Sequence, residues 1–301
     1  MKQRSMVPSL FFVLVLALAA CGDVDAGPAA DYAVAAPQEG VTHHVRFEVD
    51  GQAHYGILEG ETIRELSGPP YNDPPETGRS HDLASVRLLA PVEPRAVLAV
   101  GLNYGTFVGE DAPPEAPLFF AKLPGTIIGT EGDIHSYPAQ ERLFYETELV
   151  VVIGRTASNI TAEEAPDYIF GVAAGNDVSD RGWQTADEQW FRGKSADTWG
   201  PVGPVVARGL DYGNLEMVGR LNGEEVQRTN SADLIFDIPT LVAYITQWIT
   251  LHPGDVIFSG TPGGAGELQP GDVFEVEVEG VGTLRNTVVS VGDAAVARGG
   301  G

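Results

Sequence analysis

The sequence predicts a mostly β protein with few helices, in the α+β class. Short runs rich in β-branched and aromatic residues recur along the chain, bounded by Gly, Pro, Asn and Asp, as strands usually are. Two Pro-Gly-Asp-Val turns, beginning at Pro253 and Pro270, each lead into such a run, and the Pro-Gly pair suits a tight turn. One segment of the second half has clear helical periodicity. We therefore expect a core made chiefly of sheets.

The N-terminus has the pattern of a bacterial lipoprotein signal. Lys2 and Arg4 precede an apolar run over 10–20, which is too short for a membrane-spanning helix but typical of a secretory signal. The run ends at Leu18-Ala19-Ala20-Cys21, which resembles the lipobox in which the cysteine is lipidated and becomes the mature N-terminus. We therefore expect a signal peptide over 1–21 and a lipid anchor on Cys21.

Such an anchor predicts a place in the bacterial cell envelope. Because Gly22 and not Asp follows Cys21 directly, the outer membrane, facing the periplasm, is the favoured location. Cys21 is the only cysteine, so disulfides play no part in the fold. Residues 22–42 are rich in Ala, Pro, Gly and Asp and are expected to be a disordered tether, and 293–301 a disordered tail.

The charge of the chain excludes one class of partner. Acidic side chains number 42 against 18 basic ones, for a net charge of −24. A protein this acidic repels phosphate backbones, so nucleic acid is excluded as a partner.

A small β-rich domain is expected over 43–90. Two strand-like segments, 45–49 and 54–58, are joined at Asp50-Gly51, which is the signature of a hairpin. A stretch rich in Pro, Asn and Asp over 69–75 then breaks the chain. A buried strand over 96–101 follows.

The helical segment lies between the two strand-rich parts of the second half. Pro239 stands near its start, where proline is tolerated. Its apolar residues fall on one helical face, and they are Ile238, Leu241, Val242, Ile245, Trp248 and Ile249.

A metal site is predicted from the run 143–153, which scores as a strand. Alternation places Glu146 and Glu148 on one face with Phe144 and two valines. The alternative is a solvated strand face, but it would expose these apolar side chains, whereas burial leaves two charges to be compensated. A divalent cation compensates both, and oxygen ligands favour Mg²⁺ or Mn²⁺, with Ca²⁺ as a further candidate. Asp177, at the end of the next apolar run, is the candidate third ligand.

The order of seven segments resembles the fumarylacetoacetate hydrolase family. They are Gly101-Leu102-Asn103-Tyr104, Phe119-Phe120-Ala121-Lys122, Tyr145-Glu146-Thr147-Glu148, Asn176 to Gln184, Lys194 to Thr198, Asn222-Gly223-Glu224 and Pro253 to Pro262. The resemblance implies a mixed β-roll or β-sandwich catalytic domain over 91–292, in a homodimer. It also implies Mg²⁺ or Mn²⁺ on Glu146, Glu148 and Asp177, and a small 2-oxo acid or diketo acid as substrate.

The resemblance also implies roles for further side chains. Lys194 matches a family lysine beside the metal, which would hold the developing enolate oxygen. Arg181, Gln184 and Thr261 match residues that contact the substrate. Tyr104 is a further candidate for substrate binding. For each of these residues, a structural or solvent-facing role is the alternative, and for Tyr104 and Lys122 it stays open.

One position departs from the family pattern. Many hydrolytic members carry a histidine with a glutamate three residues later, which together activate water. Here the histidine position is Phe107, while Glu110 remains as a catalytic candidate, and Gly105 and Gly109 indicate a mobile loop. The first expectation is a metal-dependent C–C hydrolase of 2-oxo and diketo acids. The alternatives are a decarboxylase or isomerase, or a catalytically silent lipoprotein that binds a diacid.

Overall fold

A computed structural model describes residues 33–36, 38–109 and 111–292. The expected signal peptide, Cys21, the C-terminal tail and Glu110 lie outside the described residues. Within the described ranges, no helix is both long enough and apolar enough to cross a membrane.

The N-terminal part is built from five strands and begins with the expected hairpin. Asp50 and Gly51 both have positive φ, 52° and 73°, which is the backbone of the primed turns that connect hairpin strands. The strands are β1 (Thr42–Val49), β2 (Gln52–Glu59), β3 (Thr62–Leu66), β4 (Glu76–Asp82) and β5 (Arg87–Leu89).

The rest of the described chain is also dominated by strands. They are β6 (Val97–Gly101), β7 (Leu118–Lys122), β8 (Ile127–Ile128), β9 (Asp133–Ser136), β10 (Leu143–Phe144), β11 (Thr147–Ile153), β12 (Ile169–Asn176), β13 (Ser179–Asp180), β14 (Gly200–Arg208), β15 (Glu216–Leu221), β16 (Glu224–Asn230), β17 (Val256–Phe258), β18 (Val273–Val278) and β19 (Gly282–Ser290).

These strands form two large mixed sheets that pack on one another. The first has the order β4-β3-β2-β1-β14-β12-β11-β17-β6-β7, with β5 beside β1 and β8 beside β14. The second has the order β16-β15-β18-β19-β9, and β10 pairs with β13. Side chains from both large sheets, such as Leu149, Val151, Phe274 and Val276, share one buried core. The predicted mostly β fold is therefore confirmed.

The N-terminal strands and the later strands share one sheet. β1 pairs antiparallel with β14, so that Thr42 lies opposite Arg208. Ahead of β1, Val34 forms a bridge with Gly282, and the Ala35 N–H donates to the Val281 carbonyl over 3.3 Å. The tether expected over 22–42 is thus too long at its C-terminal end, because this part of it is bonded to the turn between β18 and β19.

In the described part of the chain, four short helices and several 3₁₀ turns connect the strands. The helices are α1 (Gly105–Val108), α2 (Arg181–Ala186), α3 (Phe191–Lys194) and α4 (Ile238–Thr246), and the 3₁₀ turns are Pro70–Asn72, Leu83–Ser85, Pro124–Thr126, Ala165–Asp167 and Ser231–Asp233. The residues of α1 were expected to form a mobile loop, but they form one helical turn.

The structure confirms the start of α4 and corrects its end. The Asp237 side chain caps the helix by accepting a hydrogen bond from the Thr240 N–H over 2.9 Å. Trp248 and Ile249 lie beyond the last helical residue, Thr246, and are 65% and 40% exposed. The prediction that these two side chains continue the buried face is wrong, because the helix ends before it reaches them.

The predicted strand over 143–153 is interrupted at Tyr145 and Glu146. The Tyr145 N–H donates to the Gly266 carbonyl over 3.1 Å, and the Glu146 N–H donates to Oδ1 of Asn176 over 2.9 Å. Both amides thus bond outside a regular strand ladder, so β10 and β11 are separate strands. Simple alternation therefore does not apply between Phe144 and Thr147.

The buried ring of His44 links the fold to pH. Neither ring nitrogen has a hydrogen-bond partner within the described chain, and the ring packs 4.8 Å from Phe170. Burial, with a smaller contribution from Arg208, lowers the pKa of His44 from 6.5 to about 4. The unfolded chain therefore binds one more proton than the folded chain between these values.

We predict that the free energy of unfolding falls by about 3 kcal/mol because of His44 as the pH falls from about 6.5 to 4. The stability that the neutral, buried imidazole contributes is fully present above the pKa of the unfolded chain and is lost as the pH falls to the pKa of the folded chain. His44→Leu should flatten this part of the pH dependence, measured by urea unfolding between pH 7.5 and 4.5. Unfolding free energies of wild type and variant that fall in parallel would contradict the prediction.

Candidate active site

Three buried carboxylates meet where β11 and β12 lie side by side. Glu148 is in β11 opposite Gly175, Glu146 precedes β11, and Asp177 follows β12. The Asp177 N–H donates to the Glu146 carbonyl over 3.0 Å and fixes the two loops together. One oxygen from each carboxylate lies within 4.8 Å of the others. The structure thus brings together the three predicted metal ligands, called here the carboxylate triad.

Two buried lysines contact the triad. Nζ of Lys194 donates to Oε2 of Glu146 over 2.6 Å and to Oδ2 of Asp177 over 2.7 Å. Nζ of Lys122 donates to Oδ1 of Asp177 over 2.5 Å and to the main-chain oxygen of Lys194. Arg181 adds a third cation, because its guanidinium pairs with Oε1 of Glu146. Both carboxylate oxygens of Asp177 therefore accept a hydrogen bond from a buried lysine.

The pKa shifts of the triad separate its members. Burial raises the pKa of Glu148 well above its usual value, and the charges of Asp177 and Glu146 raise it further. Burial also acts to raise the pKa of Asp177, but Lys122 and Lys194 outweigh it, so that pKa is lowered. Within the described chain, Oε2 of Glu148 accepts a hydrogen bond from the Gly260 N–H over 2.8 Å. Glu148 is thus the carboxylate whose charge the protein compensates least.

The triad opens into a cavity of about 300 Å³. Its lining residues are Val100, Gly101, Leu102, Phe107, Phe120, Glu146, Glu148, Asp177, Arg181, Gln184, Thr185, Trp190, Lys194 and Thr261. Arg181, Gln184, Lys194 and Thr261 therefore share the cavity with the triad, as the resemblance implied. Oε1 of Gln184 is buried without a hydrogen-bond partner in the described chain and is available to a ligand.

Tyr104 is not brought into this cavity. The side chain is 1% exposed and lies in the core, and Tyr104 forms an isolated bridge with Leu234. Its expected contact with substrate is therefore not supported, because Tyr104 is not among the residues that line the cavity.

Phe107 and Thr261 line the cavity for different structural reasons. The Phe107 ring lies in α1, with its centroid 5.5 Å from the Arg181 guanidinium carbon. Oγ1 of Thr261 accepts a hydrogen bond from Nε2 of Gln227 over 3.1 Å, and Oε1 of Gln227 accepts one from the Thr147 N–H over 3.0 Å. Gln227 thus ties the turn that carries Thr261 to the start of β11.

Several residues of the site are not predicted from the sequence. The role of Lys122 stays open there, and Phe120, Leu102 and Trp190 are not assigned to a site. Strand alternation in β7 places Phe120 and Lys122 on the same face, so the sequence held a signal for that pair. We see no such signal for Trp190, which reaches the cavity from the turn before α3.

The residues present fit a divalent cation. Three carboxylates supply the oxygen donors that Mg²⁺, Mn²⁺ and Ca²⁺ accept, and no cysteine or histidine belongs to the triad. Burial raises the pKa of Glu148, and the neighbouring charges of Asp177 and Glu146 raise it further. A cation bound there would relieve this repulsion.

The family models match the two parts of the chain. Residues 96–289 match the model described as fumarylacetoacetate (FAA) hydrolase C-terminal, and residues 43–91 match the model described as Rv2993c-like, N-terminal. The chain belongs to the fumarylacetoacetate hydrolase family.

Individual relatives of this family member extend over most of its length. Protein Rv2993c of Mycobacterium tuberculosis is 41% identical over 255 residues, which are 81% of this chain and 96% of that protein. The Rattus norvegicus protein named oxaloacetate tautomerase Fahd2a, mitochondrial, is 36% identical over 220 residues, 68% of this chain and 70% of that one.

A solved structure shows the same fold. The 5-carboxymethyl-2-hydroxymuconate delta-isomerase from Mycobacterium smegmatis superposes with a TM-score of 0.79 at 38% identity. The match covers 83% of this chain and 100% of that chain. The relatives of this family member therefore include proteins named as isomerases and tautomerases.

We predict that Glu148→Gln lowers the affinity for Mn²⁺ at least about tenfold, because it removes a ligand charge. The fold should survive, since the change also relieves repulsion within the triad. Calorimetric titration with Mn²⁺ and a thermal melt measure the two effects. Glu224→Gln, at an exposed position of β16, is the matched control and should bind Mn²⁺ as the wild type does. If Glu148→Gln binds Mn²⁺ as tightly as Glu224→Gln does, the triad is a structural cluster and not a metal site.

Proposed function

We propose that this chain is a divalent-metal-dependent enzyme that interconverts keto and enol forms, or double-bond isomers, of 2-oxo acids. The buried carboxylate triad with Lys194 beside it in the same cavity is the observation that carries the proposal. The named relatives support the reaction class, because a tautomerase and an isomerase are among them. In both reactions a proton moves between carbon and oxygen, or between two carbons, through an enolate.

The charges of the site suit an anionic substrate. The three carboxylates of the triad are balanced by three cations, Lys122, Lys194 and Arg181. A divalent cation held by Glu146, Glu148 and Asp177 would therefore leave the site positive. A 2-oxo acid brings one carboxylate, and its enolate brings a second negative charge.

The metal ion, Lys194 and Gln184 each have a separate role in the proposed reaction. Bound Mg²⁺ or Mn²⁺ supplies Lewis-acid stabilisation of the charge that develops on the keto oxygen. Lys194 gives two of its three N–H donors to Glu146 and Asp177 in the described structure, so its third donor remains for a substrate oxygen. Oε1 of Gln184, which has no partner within the described chain, can accept a hydrogen bond from the enol O–H of the substrate.

Lys194 remains a cation in its buried place. Burial acts to lower its pKa, but Asp177 and Glu146 outweigh burial and raise it. An ammonium that stays charged can hold a proton next to a developing enolate oxygen and donate a hydrogen bond to it. Both keto–enol transfer and decarboxylation pass through this oxygen, so Lys194 serves either reaction.

Hydrolytic C–C cleavage, the activity first expected, has less support. Such cleavage needs a base that activates water. At the position where many hydrolytic members carry histidine, the apolar Phe107 ring lies against Arg181 and lines the cavity. Decarboxylation of a 2-oxo acid is the second candidate, because it needs charge stabilisation rather than an activated water.

We propose further that the protein acts as a homodimer, anchored by lipid on Cys21 to the cell envelope, at the outer membrane. The lipobox-like Leu18-Ala19-Ala20-Cys21 supports the anchor. The family resemblance supports the dimer.

We predict that the wild type interconverts the keto and enol forms of oxaloacetate with Mg²⁺ or Mn²⁺ and that EDTA abolishes this activity. Lys194→Met should lower kcat by about 10²-fold or more, as the loss of an oxyanion donor does. Phe107→His should raise hydrolysis of acetopyruvate, since a positioned base contributes about 10² to 10⁴-fold. Ultraviolet absorbance follows both reactions.

The outcomes separate the candidate functions. Carbon dioxide release measured in the same reactions distinguishes decarboxylation from tautomerisation. If the wild type hydrolyses acetopyruvate faster than it tautomerises or decarboxylates oxaloacetate, a base elsewhere activates the water. Phe107 would then not be evidence against hydrolysis. Binding of oxaloacetate without turnover of any kind would favour a catalytically silent binding protein.

A further inference from the structure

Among the cations that balance the carboxylate triad, Arg181 keeps the most hydrogen-bonding capacity for a ligand. Nζ of Lys122 and Nζ of Lys194 each donate two or more hydrogen bonds within the described chain. The guanidinium of Arg181 carries five N–H donors, and its hydrogen-bond partner in the described chain is Oε1 of Glu146. Arg181 also lines the cavity, whereas Lys122 is not among the lining residues. Arg181 is therefore the cation best able to bind a carboxylate that enters.

Two aromatic rings contact the guanidinium of Arg181. Its carbon Cζ lies 5.5 Å from the centroid of the Phe107 ring and 5.5 Å from the centroid of the Phe144 ring. Both distances lie within the range of an attractive cation–π contact. Because this attraction does not require a conventional hydrogen bond, the rings can hold Arg181 and leave its N–H donors to Glu146 and to a ligand.

The pairing of β10 with β13 places Phe144 beside Arg181. Phe144 lies opposite Ser179 in this pair, and Arg181 follows β13 directly. The Arg181 N–H donates to the Arg142 carbonyl over 2.9 Å, which continues the pairing by one residue. The backbone of Arg181 is thus fixed against the strand that carries Phe144.

The turn after β17 fixes the position of Phe107. The Gly263 N–H donates to Oγ1 of Thr106 over 3.2 Å. A Cβ at position 263 would overlap the Thr106 carbonyl oxygen, so α1 packs directly against the backbone of this glycine. Phe107 is therefore held by the same turn that carries Thr261.

The ring at position 107 suits a contact with a cation. A phenyl ring attracts the Arg181 guanidinium at every pH. A histidine ring in its place would repel the guanidinium whenever it is protonated. Phenylalanine at this position thus cannot activate water, but it keeps an attractive contact with Arg181.

We propose that Phe107 and Phe144 are positioning residues, which hold the Arg181 guanidinium so that its remaining N–H donors bind the carboxylate of the substrate. This role rests on the proposed function, because the carboxylate is that of the 2-oxo acid. Neither ring takes part in proton transfer. Loss of a ring should therefore weaken binding of the substrate and its transition state alike, which raises KM and leaves kcat almost unchanged.

The test is a calorimetric titration of the protein, loaded with Mn²⁺, with oxalate as the carboxylate ligand. Phe107→Leu should raise Kd for oxalate about two- to fivefold, which is the effect of losing one partly exposed cation–π contact. Leucine keeps an apolar side chain at this position, so α1 should stay packed. Phe107→Tyr should bind oxalate as the wild type does, because its ring retains the contact with Arg181.

A double-mutant cycle determines whether Phe107 acts through Arg181. Arg181→Met alone should raise Kd for oxalate about tenfold or more, because it removes a charged hydrogen-bond donor. In the Arg181→Met background, Phe107→Leu should leave Kd unchanged, since the cation that the ring holds is gone. A merely structural role would give Phe107→Leu the same effect in both backgrounds.

Kinetics with oxaloacetate give a second readout. Phe107→Leu and Phe144→Leu should each raise KM about two- to fivefold and leave kcat within about twofold of the wild type. Phe144→Leu also removes a contact with Arg142, whose Cζ lies 5.1 Å from the ring, so Phe107→Leu is the more specific variant. Phe119→Leu is the matched control and should change neither constant, because the half-buried Phe119 ring stacks on Tyr244 outside the cavity.

The outcomes distinguish this role from the proposed function. Unchanged affinity for oxalate in Phe107→Leu, or an equal loss of affinity in the Arg181→Met background, would overturn the role and leave the proposed function standing. A fall in kcat at unchanged KM would also overturn it. If Phe107→Leu does not fold, Phe144→Leu is tested in the same cycle. A wild type that holds Mn²⁺ but neither binds oxalate nor turns over oxaloacetate would overturn the proposed function and this role together.

Discussion

The structure depends on the compensation of three carboxylates that are buried within 4.8 Å of one another. Unpaired charges in such a place cost far more than the fold can supply. Lys122 and Lys194 compensate Asp177 from both oxygens, and Lys194 and Arg181 compensate Glu146. Glu148 receives a backbone N–H, and burial raises its pKa, so its charge is the one that a bound cation would stabilise most. The proposed function begins from this carboxylate.

The two packed sheets hold this arrangement in place. β11 is buried along its whole length between β12 and β17, so Glu148 cannot turn towards solvent. β7, at the edge of the same sheet, brings Lys122 to Oδ1 of Asp177. α3 ends with Lys194, which contacts Oδ2 of Asp177. The cavity is thus lined by the polar groups of the triad together with apolar side chains from β6, β7 and the turn before α3.

Much of the fold and the carboxylate triad could be predicted from local patterns, whereas Lys194, Arg181, Gln184 and Thr261 were implied by the resemblance to the family. The hairpin at Asp50-Gly51 and the start of α4 follow from turn and capping chemistry, and Glu146 and Glu148 stand out as charges in an apolar run. The break at Tyr145 and Glu146 could not be predicted, because it depends on Asn176, about thirty residues away in sequence. The same holds for Trp190, which lies against Gly101 only after the sheet has formed. Tyr104 belongs to a segment that resembles the family, but its side chain packs into the core.

The central claim is that the carboxylate triad holds a divalent cation on which a 2-oxo acid can be bound. Crystals grown with Mn²⁺ and oxalate, a stable mimic of the enolate, test it most directly through the anomalous difference map. We predict one strong peak between Glu146, Glu148 and Asp177, with oxalate oxygens completing the coordination shell of the ion on the side of the cavity. No peak at the triad, or a peak at which oxalate is absent, would contradict it.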